Sequence, residues 1–246
     1  MITLPENIKY VINTLENKGF KAYIVGGCVR DFLLNKTPTD YDITTSATPE
    51  EIIKLFPKTI PTGIKHGTVT VIINNENIEV TTFRSDGAYS DNRHPENVQF
   101  VTDIKFDLSR RDFTVNAMSY NETDGLIDFF GGKDDIKMKI LKAVGEPEKR
   151  FSEDALRILR LFRFSSVLGF EMEKETLFWA KKLSVNLEKI SKERIFIELK
   201  KAIMGDYCEN LTELILCGGL KFLGVNNVPN FNILKKCKNN ESICLF

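Results

Sequence analysis

Two glycines, Gly26-Gly27, are followed after twelve residues by Asp40-x-Asp42. On an extended strand, side chains at i and i+2 share a face, so Asp40 and Asp42 can grip one hard divalent cation or bridge two. Glycines at a strand-to-helix turn let backbone N–H groups approach a phosphate closely. Arg30 lies on the first turn of the helix that follows and can reach that phosphate. Together these groups suit nucleotidyl transfer, which needs a metal at the α-phosphate, an activated hydroxyl and a cradle for the departing pyrophosphate. An Asp-x-Asp pair alone reads as a solvated strand face, and the Gly-Gly at this spacing makes the chemical reading the stronger one.

Further along, Glu79 alternates with Thr81 and Phe83 on one side of a strand, opposite Val80 and Thr82. It is a candidate third carboxylate, for the metal or for activating the attacking hydroxyl. Arg110-Arg111-Asp112-Phe113, with Asn116, is expected to open a helix. Two adjacent arginines suit a triphosphate, but they splay by about 100° on a helix, so one of the two faces it. In Glu153-Asp154-Ala155-Leu156-Arg157, continued by Arg160 and Arg163, an i, i+3 row of Asp154, Arg157, Arg160 and Arg163 is predicted on one helix. Asp154 accepts from an exocyclic amino group, and Arg157 donates to a ring nitrogen or carbonyl oxygen. A base with both features is C or A, read on its Watson–Crick edge. Without the carboxylate pair upstream, the row would read as a surface salt-bridge ladder.

The elements that position these groups are legible in outline. Ile8, Val11, Ile12 and Leu15 predict a helix over 5–18, stopped by Gly19. KAYIV is a strand, CVRDFLL a helix, and TDYDITT a strand. Thr48-Pro49-Glu50-Glu51 carries the capping-box pattern of a helix running to Phe56. GTVTVII and NIEVTTF form a hairpin about the turn 74–77. Residues 84–98 are polar, rich in turn formers and without periodicity, which marks a long loop. DLSRRDFTVNAM is predicted helical, and LIDFF and KILKAV are predicted strands. Helices follow over 152–168, 173–184, 191–204 and 208–217. The expected division is a mixed α/β head over 1–145, a helical neck over 146–205 and the start of a helical body over 206–246.

Composition excludes several classes. Lys and Arg number 34 and so do Asp and Glu, giving zero formal charge, so any polyanion must be held by local basic patches. The amino terminus MITLPENIKY lacks a basic, then apolar, secretory pattern, and no apolar run is long enough to span a membrane. Five cysteines, odd in number and without a C-x-x-C, argue against a zinc knuckle or a disulfide framework. These features predict a reduced, cytoplasmic protein with no membrane or DNA partner.

GGCVRDFLL-x5-DYD, IEVTTFR, RRDFTVNAMSY and EDALRILRLFRF, in this order over residues 5–165, resemble the bacterial class II CCA-adding tRNA nucleotidyltransferases of the tRNA nucleotidyltransferase/poly(A) polymerase family. The resemblance implies an α+β fold: a polymerase-β-like head with a mixed sheet, an all-helical neck and, here, a partial body. It implies that Asp40 and Asp42 bind Mg²⁺, with Glu79 as the catalytic candidate beside them. Gly26, Gly27, Arg30, Arg111 and Asp112 fall in the motifs that hold the nucleotide's triphosphate. Asp154 and Arg157 resemble the pair that templates CTP or ATP, and Arg160 and Arg163 support nucleotide and primer. SDGAYSDNRHPENV resembles the loop that switches such an enzyme from C to A. The implied reaction adds C, C and A to the 3′ end of tRNA from CTP and ATP, releasing pyrophosphate. An A-only enzyme or poly(A) polymerase shares the catalytic motifs and is the alternative. A small-molecule nucleotidyltransferase has no use for the Asp154–Arg163 helix, and a non-catalytic tRNA-binding remnant has no use for intact carboxylates. Family members carry a longer helical body and tail than this chain contains.

Overall fold

A computed structural model describes residues 2–87 and 98–232, which divide into two compact units on either side of Met138 and Lys139. The first unit is built on seven strands: β1 (Ala22–Val25), β2 (Asp42–Thr45), β3 (Thr59–Gly63), β4 (Thr68–Ile73), β5 (Glu76–Thr82), β8 (Met118–Asn121) and β9 (Gly125–Asp128). Their order across the sheet is β3-β4-β5-β2-β1-β8-β9. All neighbours run antiparallel except β2 and β5. A separate ribbon pairs β6 (Arg84–Asp86) with β7 (Val98–Phe100). Helices α1 (Glu6–Glu16), α2 (Gly27–Leu33), α3 (Pro49–Leu55), α4 (Ile104–Ser109) and α5 (Gly132–Met138) complete the unit.

Strand alternation sorts the sheet into two unlike faces. Ile24, Ile43, Val69, Val71, Ile78 and Val80 form one face, each at most 1% exposed. The other face changes character along the sheet. Tyr23 and Val25 pack with Phe83 against Ile104 and Leu108 of α4, whereas Asp42, Glu79, Thr81, Thr68 and Thr70 lie on its β2-to-β4 part. The predicted capping box on α3 is present: Thr48 Oγ1 accepts from the Glu51 backbone, and the Glu51 carboxylate accepts from the Thr48 N–H.

The second unit is helical: α6 (Pro147–Glu153), α7 (Leu156–Leu168), α8 (Lys174–Lys182), α9 (Lys192–Ile203) and α10 (Thr212–Leu216), with a parallel bridge of β10 (Ile140–Leu141) to β11 (Glu171–Met172). Phe151, Leu159, Leu161, Phe162, Ile195 and Leu211 are buried at its centre. Gly169 ends α7 in the left-handed region, and a Cβ there would meet the Tyr207 ring at 2.5 Å.

Several sequence expectations are corrected. DLSRRDFTVNAM is not one helix: α4 ends at Ser109 with Arg110 as its cap, a single 3-10 turn spans Thr114–Asn116, and the chain enters β8. Between the predicted strands LIDFF and KILKAV, Gly132–Met138 forms α5. KILKAV contributes only Ile140–Leu141 to a strand. The helix expected over 152–168 is interrupted at Asp154, whose φ/ψ of −140°/105° is extended. Helix 208–217 is a 3-10 turn followed by α10. The edge strand β3 went unread. The loop at 84–98 is bracketed by the β6–β7 ribbon, and its centre, residues 88–97, lies outside the described residues. The segments 146–205 and 206–232 both fall within the second compact unit. Among the described residues no helix is long and apolar enough to cross a membrane, and Cys28, Cys208 and Cys217 are not in disulfides.

Candidate active site

In the first unit the predicted residues gather at one end of the central strands. Val25 pairs with Asp42, and Asp42 with Glu79, so these three lie in one row across β1, β2 and β5. Asp40 precedes β2 rather than lying within it, and Thr39 Oγ1 donates to its Oδ2 at 3.1 Å. The two carboxylates nevertheless act on each other. Asp42 stays accessible, but neighbouring protein displaces enough water to raise its carboxyl above the ordinary value. The Arg111 guanidinium opposes that rise, and the Asp40 charge adds to it. Two carboxylates close enough to raise each other's proton affinity are a donor set of the kind that suits a hard divalent ion. No group of three or more His, Cys, Asp or Glu side chains forms a metal-holding set among the described residues. Glu79 therefore stands beside Asp42 in register, exposed, without completing a three-carboxylate cluster.

Gly26 explains how Arg111 reaches this end of the sheet. Its φ/ψ of 82°/−127° is a conformation open in practice only to glycine. A Cβ at Gly26 would also lie 2.9 Å from Arg111 Nη1. Gly26 N–H donates to Met118 O at 3.1 Å, tying the turn to β8. Replacing Gly26 by alanine should therefore cost about 1–3 kcal/mol of stability and push Arg111 aside. The expected kinetic result is at least about a tenfold rise in the nucleotide KM, roughly the worth of one hydrogen bond to a charged group. An unchanged KM in the folded variant would contradict the placement of Arg111.

Arg111 and Arg110 share one anchor. Asp107, wholly buried, accepts from Arg110 Nε at 3.0 Å and Nη2 at 2.8 Å, and from Arg111 Nη2 at 3.4 Å. It also accepts from Thr44 Oγ1 and from the Arg84 backbone N–H. Arg111 Nε is buried and has no hydrogen-bond partner, a donor of the kind that an anion's oxygen satisfies. Of the paired arginines, Arg111 is the one placed near Asp42. Arg30 is held by Asp31 at 2.8 Å and by Asn116 Oδ1 at 2.7 Å. Asn116 Nδ2 in turn donates to Asp112 Oδ1 at 3.2 Å, and Asp112 is 6% exposed. Asp112 is thus a buried orienter of the Asn116–Arg30 chain. Gly27, the first residue of α2, lies 3.6 Å (measured from a Cβ built on it) from Arg30 Nη2. The Cys28 thiol is buried, donates to Val25 O, and is pushed up to about 11 by burial and by the Asp42 charge.

In the second unit the i, i+3 row is realised only in part. Asp154 stands ahead of α7, where its Oδ1 accepts from the Leu156 backbone N–H at 3.0 Å and its Oδ2 from Arg194 Nη2 at 3.4 Å. Arg157, 9% exposed, donates from Nη1 to Glu153 Oε2 at 2.7 Å and to Arg150 O at 3.0 Å. Arg150 pairs with the same Glu153 oxygen at 2.8 Å. Arg160 and Arg163 both lie over the Phe164 ring, at 5.3 and 4.0 Å from its centre. Arg163 Nε also sits 2.9 Å from Glu198 Oε2, an ion pair short of hydrogen-bond alignment. Sequence reading gave no role to Glu153, Arg194, Glu198 or Asp107. Glu153 and Asp107 are visible as acidic residues three or four positions from arginines; Arg194 and Glu198 are 40 and 35 positions from their partners (194 − 154, 198 − 163) and give no local signal.

The first unit, a mixed sheet presenting Asp40, Asp42 and Arg111 around a Gly-Gly turn, is a polymerase-β-like nucleotidyltransferase head. Residues 22–142 match the poly A polymerase head domain, and 169–223 the probable RNA and SrmB-binding site of polymerase A. A CCA-adding enzyme from Staphylococcus epidermidis is 46% identical over 210 residues, 85% of this chain and 52% of that protein. The crystal structure of the Bacillus stearothermophilus CCA-adding enzyme in complex with CTP matches 98% of this chain and 72% of its own. It does so at a TM-score of 0.80 and 34% identity. The Thermotoga maritima CCA-adding enzyme complexed with tRNA matches 95% of this chain and 55% of its own, at a TM-score of 0.74 and 26% identity. The chain belongs to the CCA-adding enzyme family. It spans about half the length of the curated relatives it matches.

Proposed function

We propose that this chain adds C, C and A to the 3′ end of tRNA, using CTP and ATP and releasing pyrophosphate. The observation that carries this reading is the meeting of Asp40, Asp42 and the orphan donor of Arg111 beside a glycine that admits no side chain. Two mutually repelling carboxylates fit Mg²⁺, and Asp40 and Asp42 would hold it. When bound, the ion supplies charge neutralisation at the α-phosphate and lowers the barrier to attack by a hydroxyl. The chain's own residues do the rest. Arg111 donates to the β- and γ-phosphates, with Asp107 fixing its plane. The Asp112–Asn116–Arg30 chain orients a second guanidinium on α2. Glu79, exposed in the row of Asp42, is placed to accept a proton from the acceptor hydroxyl.

Asp154 and Arg157 are assigned to base recognition. Arg194 and Glu153 fix them, so that Asp154 faces an amino group and Arg157 a ring acceptor, the edge shared by C and A. Arg160 and Arg163, stacked on Phe164, support nucleotide and primer. A site that selects by pairing polar groups rejects analogues through unpaired ones and loses that rejection when a partner is removed. In competition among four nucleotides on tRNA lacking its CCA, the parent chain should incorporate only C and A. Asp154→Ala should raise the combined U and G share by about tenfold or more, the effect of roughly one lost hydrogen bond to a charged group. An equal slowing of all four nucleotides would make this segment a phosphate clamp instead.

A further inference from the structure

The strand order β5-β2-β1 gives Asp42 two flanks. On the β1 flank stands Gly26, the turn where Arg111 lies. The β5 flank leads to the sheet edge through a row of polar side chains on Asp42's own face. Register places Thr70 and Glu79 in line with Asp42, and Thr68 and Thr81 in line with Thr44. The hydroxyls here are paired: Thr68 with Thr81 at 3.1 Å, and Thr70 with Thr62 of β3 at 2.9 Å. A bond between two hydroxyls uses one of the two protons. Each pair therefore keeps one O–H donor and spare lone pairs for an outside group. Beyond the floor, exposed Lys58 and Lys65 stand at the two ends of the edge strand β3.

Resting on the functional reading above, we propose that Thr68, Thr70 and Thr81 bind the 3′-terminal ribose of the acceptor RNA and read its 2′-hydroxyl. Lys58 and Lys65 meet the phosphates behind it. The attacking 3′-hydroxyl has to arrive at Asp42, and the triphosphate side is taken by Gly26 and Arg111. The β5 flank is what remains. Neighbouring strands lie about 4.8 Å apart and alternate residues of a strand about 6.8 Å, so Thr81 and Thr70 stand roughly 8–10 Å from Asp42 within the sheet, a distance that a terminal nucleotide covers when its 3′-hydroxyl lies over Asp42. A group that both donates and accepts is matched by paired hydroxyls and not by an apolar sheet face, and the 2′-hydroxyl is such a group. Lysines at the rim suit phosphate as point charges. A 2′-deoxy end forfeits the contact.

The test uses the 246-residue chain with two hairpin acceptor RNAs, identical except that one ends in a ribonucleotide and the other in a 2′-deoxynucleotide with its 3′-hydroxyl intact. The parent should extend the ribo-ended acceptor with CTP at about three- to tenfold higher kcat/KM, the range of one net hydrogen bond. Thr81→Val and Thr70→Val should remove that preference through the acceptor KM, leaving the CTP KM unchanged, and Thr81→Ser should restore it. Equal use of both acceptors by the parent would overturn the inference, as would parallel losses on both in the valine variants. If a valine variant fails to fold, the parent's preference and the serine variant still decide. A parent inert toward every acceptor and nucleotide overturns the functional reading itself, a result distinct from active but indifferent extension.

Discussion

Asp42→Asn should abolish nucleotide addition, lowering kcat by about a thousandfold or more, since a lost metal-ligand charge at a phosphoryl centre removes about 4 kcal/mol of transition-state stabilisation. The amide keeps the size of the carboxylate but removes its charge and replaces one accepting oxygen with a donor, so it can no longer serve as an anionic metal ligand. Asp42 stands at the accessible end of β2, paired with Val25 and Glu79 through its backbone, and the strand does not depend on its side chain. Thermal stability should stay within about 0.5 kcal/mol of the parent, as for substitutions away from buried features. Removing the charge also removes the repulsion with Asp40, so nucleotide binding through Arg111 should persist in part. Asp40→Asn should behave alike. Rapid-quench extension of tRNA with CTP measures the effect, and activity within tenfold of the parent in either variant would contradict the assignment.

The second large effect concerns folding. Asp107→Ala should cost about 3–5 kcal/mol, the range for removing one partner of a buried charge pair. Asp107 is fully buried beneath Arg110 and Arg111, whose side chains are 18% and 20% exposed. Removal leaves two guanidiniums facing each other with their shared anion gone, and orphans Thr44 Oγ1 and the Arg84 N–H. Any protein that still folds should lose nucleotide affinity, because the plane of Arg111 is no longer fixed. The same group imposes a pH dependence. Burial works to raise the Asp107 carboxyl, but Arg110, Arg111 and the hydrogen bonds to it prevail and hold it below the ordinary carboxylate range. A carboxyl depressed in the folded state stabilises fully above its unfolded value, about 3.9, and loses that contribution as pH falls through the folded value. Acid unfolding of the parent should therefore include a proton uptake that Asp107→Ala lacks. Chemical denaturation at pH 7 and at pH 3 measures both, and a variant as stable as the parent at pH 7 would contradict the account.

Much of the site was legible because its signals are local. The Asp-x-Asp spacing, the Gly-Gly turn, the capping box and the two faces of β5 each depend on a few adjacent residues. The misread segments share a cause in tertiary context. Met118–Asn121 is buried on both faces, so it lacks the alternation that marks a half-exposed strand. Thr59–Gly63 carries a proline and a glycine, which interrupt the pattern of a strand, yet an edge strand accommodates both. Asp154 was placed inside a helix on periodicity, but its side chain caps Leu156 and pairs with Arg194, 40 residues away (194 − 154). Arg111 was legible as a phosphate ligand, but its buried anchor Asp107 was not singled out, since an aspartate in a helical stretch reads as solvated.

The central claim is that this chain carries out C, C and A addition, and product length tests it most directly. Transcribed tRNA ending at the discriminator base is incubated with the chain and CTP alone, ATP alone, or both, and the products are resolved to the nucleotide. The account predicts two added nucleotides with CTP, three with both, and no efficient extension with ATP alone. Long adenylate tails with ATP alone, or one A added only to tRNA already ending in CC, would contradict it.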